Sequence, residues 1–342
     1  MLAMQNMGAQ WIDTNAAASY VGAGAIWLAE YQSEINDILR RTTTLSQRLV
    51  PAKMTGQPSR FHEWRGLPGN ATFSNPQTLA YGGQVGPVRG ENTVALKALV
   101  DSLNFGLFDT EVTNSQGQFS NLQGKDLEDL VSNFMLTHDQ ALITGAAATP
   151  QVLPGVGATL QYCGLDTQLL LPSGAGMASP NCLAGASVVD FLKKHVAQMC
   201  AIKKFNVRPT AIHLHPETIN KIEEQEKANQ RYMNVVEIQP GVTVSTIPTV
   251  AGVLQLIPNP FMSQATGAAA NDSWTAYIVT EPNLEYHWLT DPNPRVFQLG
   301  TVSDLAQKFV VIKFGAPIAK NAEDPDNAGL PLAHRRVKIA KA

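Results

Sequence analysis

An α+β fold is predicted by three features of the sequence: long amphipathic helical stretches, short apolar strands separated by Pro and Gly, and no repeating strand–helix–strand rhythm. The chain has 342 residues, 44% of them hydrophobic and only 15% charged, against about 25% in ordinary soluble domains. A free monomer stays soluble through surface charge, so this shortage implies that much of the surface is covered. No run of about 18 apolar residues is present, and residues 1–10 lack the basic start and apolar stretch of a secretory leader. Burial against further copies of the same chain is the remaining expectation. A net charge of −3 speaks against a dedicated nucleic-acid-binding protein. Cys163, Cys182 and Cys200 are too few and too scattered for a disulfide framework or a zinc site, and are expected to be buried thiols in a reducing compartment.

Residues 1–25 are rich in Ala, Gly, Asn and Met and resemble an arm rather than a domain. From Ile26 to Arg41 the pattern is helical, with Trp27, Leu28, Tyr31, Ile35, Ile38 and Leu39 on one stripe and Glu30, Glu34 and Asp37 opposite. One such helix cannot bury its own stripe and needs a partner surface. Residues 56–93 are dense in Gly, Pro and Asn, with Phe61, Trp64, Phe73 and Tyr81 spaced among turn signals at Pro68-Gly69-Asn70 and Gly82-Gly83. A ribbon of this kind is marginal alone in water, so it is expected to lie on a neighbouring subunit. Val94, Leu96, Ala98 and Val100 alternate and predict a strand.

A helix is predicted over 126–144, with Asp126 as N-cap, Gly145 as its stop and an apolar face of Leu127, Leu130, Val131, Phe134 and Leu142. A second helix is predicted over Ser187 to Lys204, burying Val188, Phe191, Leu192, His195, Val196 and Met199. A strand from Thr210 to His215 then leads into a helix opened by Pro216. Strands are predicted at 235–238, 242–247, 253–257 and 274–280, followed by KFVVIKFGAPIA and a final HRRVKIA segment.

Chemical candidates are few. His213 and His215 share a strand face and Glu217 follows, a metal-ligand set on paper, but a strand-end cap explains them more simply. Gly82 to Gly90 lacks the Lys-Ser/Thr of a phosphate loop, and no Gly-x-Ser-x-Gly elbow occurs. Asp166, Asp291 and Asp304 have no evident partner. No catalytic, cofactor-binding or metal-binding residue is assigned.

The segments GKDLEDLVSNFMLTHDQALITG, PTAIHLHPETINKI and FVVIKFGAPIAK, in that order behind an arm and a long ribbon, resemble the Hong Kong 97-type major capsid proteins of tailed bacteriophages. DQALITG and FGAPIA are the most suggestive pieces, and the resemblance runs from about Ile26 to Ile339. It implies an N-terminal arm with its helix over 1–55 and an extended E-loop over 56–93. It implies a peripheral domain over 94–186 containing the spine helix, an axial domain over 187–282, and a return to the peripheral domain with a C-terminal strand over 283–342.

The implied function is a virion shell protein, assembled in the host cytoplasm from pentamers and hexamers around double-stranded DNA. An encapsulin compartment is the alternative, and a metal-dependent enzyme a remote one. The partners implied are other copies of the chain, with portal, scaffold or decoration proteins, weakly contacted DNA and no membrane. About fifty residues precede the ribbon, too few for the scaffolding segment many relatives carry, so a separate scaffold protein or none is expected. Shell expansion would hinge near Gly117 to Gly124. Arg60, Trp64, Arg65, Phe73, Tyr81 and Arg89 are the expected intersubunit contacts. Arg40, Arg41, Arg48 and Lys53, and Arg335, Arg336, Lys338 and Lys341, could meet either DNA or acidic patches on neighbours.

Overall fold

The structure is a computed structural model that describes residues 44–66, 77, 88–106, 108, 111, 122–149, 160–169, 181–201, 207–228, 234–239, 242–265, 273–302, 306–320 and 333–341. The arm and its helix at 26–41 therefore lie outside the described residues, as do Phe73, Tyr81 and the hinge segment 117–121.

Two sheets and a separate ribbon organise the chain. The first sheet contains β1 (Val50–Lys53), β4 (Lys97–Gly106), β12 (Leu284–Trp288), β13 (Arg295–Val302) and β14 (Ala306–Ala319). β14 is its axis: β4 pairs antiparallel along one edge, while β13 and then β12 follow end to end along the other. β1 adds to β12 in parallel. The β-branched run in FVVIKFGAPIA suits a long strand, and Gly315 is required in it because an added Cβ would collide with the Tyr286 side chain and the His287 carbonyl.

The ribbon consists of β2 (Ser59–Gly66) and β3 (Val88–Val94), which pair antiparallel with each other and with neither larger sheet. Val94 and Leu96 close its base over Ala316 and Ile318, with Phe61 and Met54 against them. The alternation predicted through Val100 breaks here. Val94 and Leu96 are buried at the bend, while Ala98 and Val100 face outward, Val100 at 54% exposure. The bend between β3 and β4 turns the strand over, so one continuous face was the wrong expectation.

The second sheet is eight-stranded: β5 (Asn181–Cys182), β15 (Arg335–Ala340), β11 (Ser273–Val279), β6 (Ala211–Leu214), β9 (Gly252–Pro258), β8 (Val242–Thr249) and β7 (Asn234–Gln239), with β10 (Gln264–Ala265) against β11. Its central strands are apolar on both faces because both faces are covered. Ile212, Leu214, Ala276 and Ile278 pack under α3 (Val188–Cys200) and α4 (Pro216–Ala228). Ala211, Tyr277 and Val279 turn the other way, towards Leu45, Leu49, Leu142, Ile143 and α2 (Leu165–Gln168). The C-terminal strand thus joins β11 and β5 rather than the sheet built on β14.

The long helix α1 spans Leu122–Thr144, one turn earlier than predicted. Asp126 lies inside it rather than capping it, and partial burial with Asp129 nearby pushes its carboxyl pKa upward. Gly124 costs the helix about 1 kcal/mol relative to alanine, too little to break it. Gly145 does not stop the helix by a left-handed turn; a side chain there would strike the carbonyls of Tyr162 and Ala141. The chain crosses itself at this point through the Ala146–Cys163 bridge. α3 ends at Cys200, before the predicted Lys204, and Ser187 caps it by accepting from the Asp190 amide at 3.2 Å.

The predicted face of α1 is buried unevenly. Phe134 and Leu142 are at 1% and 0% exposure, whereas Leu127, Leu130 and Val131 are half-buried within the single chain. Truncating Phe134 to Ala should therefore cost about 3–5 kcal/mol of stability in denaturant unfolding. Leu130→Asp should leave the fold intact because its carboxylate reaches water; an unfolded Leu130→Asp variant would mean that the whole stripe is core.

Candidate assembly surfaces and their internal braces

Asp139, fully buried on α1, holds the entry of the described chain. Its carboxylate accepts from the backbone amides of Thr44 (3.1 Å), Leu45 (3.0 Å) and Ser46 (2.8 Å), and from the Thr44 hydroxyl at 3.3 Å. A carboxylate facing three amides is a strong local anchor. It fixes the first described turn of the chain, residues 44–46.

One residue earlier, His138 connects α1 to β14. Lys313 Nζ donates to His138 Nε2 at 3.0 Å and lies 4.6 Å from the Tyr286 ring centroid. Tyr286 in turn shares a hydrogen bond with the Tyr162 hydroxyl at 3.3 Å. Burial lowers the Lys313 pKa to about 8, with Asp139 opposing the shift. Burial and the adjacent lysine depress His138 well below its ordinary value, so the imidazole is neutral and accepts the proton offered.

The ribbon base is held by chemistry of the same kind. Gln57 mimics a strand partner, donating to the Leu96 carbonyl at 3.2 Å and accepting its amide at 2.8 Å. Phe61 meets His287 edge-on at 5.9 Å and lies beneath Lys320 at 5.5 Å. Glu285 pairs with both Lys320 and His287. Among the described ribbon residues, Arg60, His62, Arg89 and Glu91 are exposed. Arg60 pairs with its own Glu91 at 3.2 Å at 67% and 45% exposure, an ion pair worth little by itself. Trp64 and Arg65 lie on β2, and Arg89 is exposed on β3.

His213, His215 and Glu217 form no ligand set. His215 stacks on Trp274 at 3.5 Å, and Glu217 Oε2 accepts the Trp274 indole N–H at 2.8 Å. His213 is buried in β6, and neither ring nitrogen has a hydrogen-bond partner among the described residues. No group of three or more metal-ligating side chains occurs among the described residues.

The basic C-terminal segment is also engaged within the chain. Arg335 is buried, its guanidinium within 2.8 Å of His195 Nδ1 and 2.7 Å of Gln198 Oε1. Arg336 pairs with Asp166, which also accepts the Tyr277 hydroxyl. Lys341 lies over Trp274, and Arg48 pairs with Glu281 at 2.6 Å. Asp139 and Lys313 are residues that sequence reasoning missed, and Asp166, noted there without a partner, gains Arg336 and Tyr277, because each partner comes from far along the chain.

Burial holds three further histidines neutral besides His138, with pKa values of about 3 for His213 and about 4 for His195 and His334. Unfolded histidine titrates near 6.5. Below that pH the unfolded chain takes up protons that the folded chain refuses, so stability falls as pH drops from about 6.5 towards 4. The guanidinium unfolding midpoint should therefore decline from pH 7 to pH 5. His213→Leu should flatten that decline; an unchanged slope would mean that His213 is protonated in the fold.

Searches against known proteins place this architecture. No family model and no curated relative matches the chain, but solved structures do. The capsid of a native GTA particle superposes with a TM-score of 0.62 at 13% identity, covering 96% of this chain and 100% of that one. Mycobacterium phage Bobi gives 0.62 at 12%, covering 92% and 95%. The holo encapsulin complex of Synechococcus elongatus gives 0.51 at 12%, covering 97% and 96%. The architecture is therefore an α+β capsid-shell fold. Within that class, it is the fold of tailed-phage major capsid proteins. No helix among the described residues is long and apolar enough to cross a membrane.

Proposed function

We propose that this chain is the major shell subunit of a virion, assembling with copies of itself as pentamers and hexamers around double-stranded DNA. In this reading β2–β3 is the base of the E-loop and α1 is the spine helix. The β14 sheet forms the peripheral domain, and the eight-stranded sheet forms the axial domain together with the C-terminal strand. The protein's role is structural and uses no cofactor, metal or catalytic residue. Scaffold, portal or decoration proteins would join it only as secondary partners.

The observation that carries the proposal is the ribbon, a two-stranded sheet that among the described residues pairs with neither larger sheet and packs on the rest of the chain at its base. Such a hairpin is marginal unless another surface supports it. Association costs on the order of 4–15 kcal/mol in lost freedom, which no single thin ribbon recovers. A closed shell offsets this by making each later contact effectively intramolecular. The engagement of Arg335, Arg336 and Lys341 within the chain leaves these C-terminal cations little freedom to grip DNA. An encapsulin-like compartment is the second reading, favoured by the encapsulin superposition.

Expression of the full chain followed by sedimentation and negative-stain microscopy tests the proposal. Closed particles or ring-shaped capsomers are expected, whereas a compact monomer at high concentration would overturn it. DNA in particles purified from infected cells supports the virion; a co-purifying enzyme cargo supports the compartment.

A further inference from the structure

Arg335 is a buried cation without an anion. It opens β15 opposite Ile278, on the side of the eight-stranded sheet that faces α3. Only 4% of the residue is exposed. Its Nη1 donates to His195 Nδ1 at 2.8 Å and to Gln198 Oε1 at 2.7 Å, and both acceptors are neutral. No carboxylate among the described residues pairs with it, and burial alone shifts its pKa, downward. The neighbouring Arg336 shows the contrast, since it faces the other way and has Asp166. Buried charges are ordinarily paired, because desolvating a lone one is costly.

The unpaired edge is open. Nε and Nη2 of Arg335 make no hydrogen bond among the described residues, yet neither is sealed from solvent. Two further cations lie near. Lys194, exposed on α3, acts on the same His195. Arg208, also exposed, is held by its carbonyl, which accepts the Thr280 hydroxyl at 3.5 Å two residues from Ile278, and its charge reaches Cys200 at the end of α3. Neither forms an ion pair among the described residues. Asp190, the one acid of α3, sits in its first turn, about 7 Å along the axis from His195.

We propose that Arg335 is the base of an oxyanion site that takes free phosphate, bound between β15 and the C-terminal half of α3. A planar guanidinium offering Nε and Nη2 side by side suits two oxygens of one tetrahedral anion. Three uncompensated cations suit a dianion better than a single carboxylate. Access favours the free ion over a phosphodiester in nucleic acid: the small opening at Arg335 admits an ion, whereas a duplex backbone would meet the exposed Lys194 and Arg208 first. The bound ion would tie the C-terminal strand to α3, completing the join that His195 and Gln198 begin. The inference concerns the single chain and stands independently of the shell reading.

Equilibrium dialysis of radiolabelled phosphate against the full-length protein, at constant ionic strength, should count one saturable site per chain, competed by sulfate and not by duplex DNA. Free phosphate at about a hundred times its dissociation constant should suppress unfolding about a hundredfold relative to chloride. Arg335→Met should remove both effects. In chloride that variant should be at least as stable as wild type, because an apolar stem replaces an unpaired buried charge. A variant less stable than wild type in chloride would mean that His195 and Gln198 are all the guanidinium serves, and would overturn the proposal. Equal stabilisation of wild type and Arg335→Met by phosphate is the general effect of an excluded salt and overturns it too, as does protection by duplex DNA in place of phosphate, or the absence of saturable binding. If Arg335→Met does not fold, the exposed change Lys194→Gln decides. Phosphate affinity about two- to fivefold weaker with an unchanged midpoint in chloride supports the site, and unchanged affinity removes it.

Discussion

Asp139→Ala is expected to cost the fold about 3–5 kcal/mol, the range for stripping one partner from a buried charged network. The substitution orphans the amides of Thr44, Leu45 and Ser46, each worth about 1–3 kcal/mol if left buried and unpaired. It also removes the carboxylate that sustains the charge on Lys313. The full sum is not reached, because the segment detaches before it tolerates three orphaned donors. Detachment exposes Leu45 and Leu49, both buried, at about 1.5–3 kcal/mol each, which sets the ceiling. Asn at this position keeps one acceptor but points an amide at the donors, so Asp139→Asn should recover little. Guanidinium unfolding measures the loss, and tryptic cleavage after Arg48 should accelerate in parallel. A loss below about 1 kcal/mol would mean that the 44–49 turn is held by its leucines alone.

That anchor was invisible in the sequence, and the reason is instructive. Asp139 sits within DQALITG among residues of an apolar face, where a carboxylate reads as solvent-facing. Its partners lie about ninety-five residues away and are backbone amides, which leave no side-chain signature. Lys313 is hidden in the same way: within FVVIKFGAPIA it reads as the polar member of an alternating strand, and only the pairing of β14 against α1 turns it inward. Elements whose signal is local were legible. Ser187 capping α3, Pro216 opening α4 and the strands β6, β7, β8, β9 and β11 lie within a few residues of expectation, whereas the two-residue strands β5 and β10 were not foreseen. The family resemblance supplied a fold that periodicity could not, and the superpositions with phage capsids support that fold. The C-terminal strand escaped because pairing of distant strands is set by tertiary packing, and nothing in RRVKIA names β11 as its neighbour.

Shortening the ribbon is expected to abolish particle formation while leaving the fold nearly unchanged. Where the cut falls decides whether the experiment is clean. Removing residues 60–90 would take away Phe61, which packs with Val94, Leu96, Ala316 and Ile318 and meets His287. The loss of assembly would then be mixed with damage to a core. Residues 63–90 are the better target, because His62 and Glu91 face each other across β2 and β3 and can be joined by a two-residue turn. Asn-Gly suits that turn, since its twist matches an antiparallel hairpin. The shortened chain keeps the Gln57–Leu96 bonds and the Phe61 contacts, so its unfolding midpoint should stay within about 1 kcal/mol of wild type, as for surface changes in general. Sedimentation should show free subunits or small rings in place of closed particles. Normal particles from this variant would show that the ribbon carries none of the assembly energy. A shortened chain that cannot fold would show that the ribbon is part of the core.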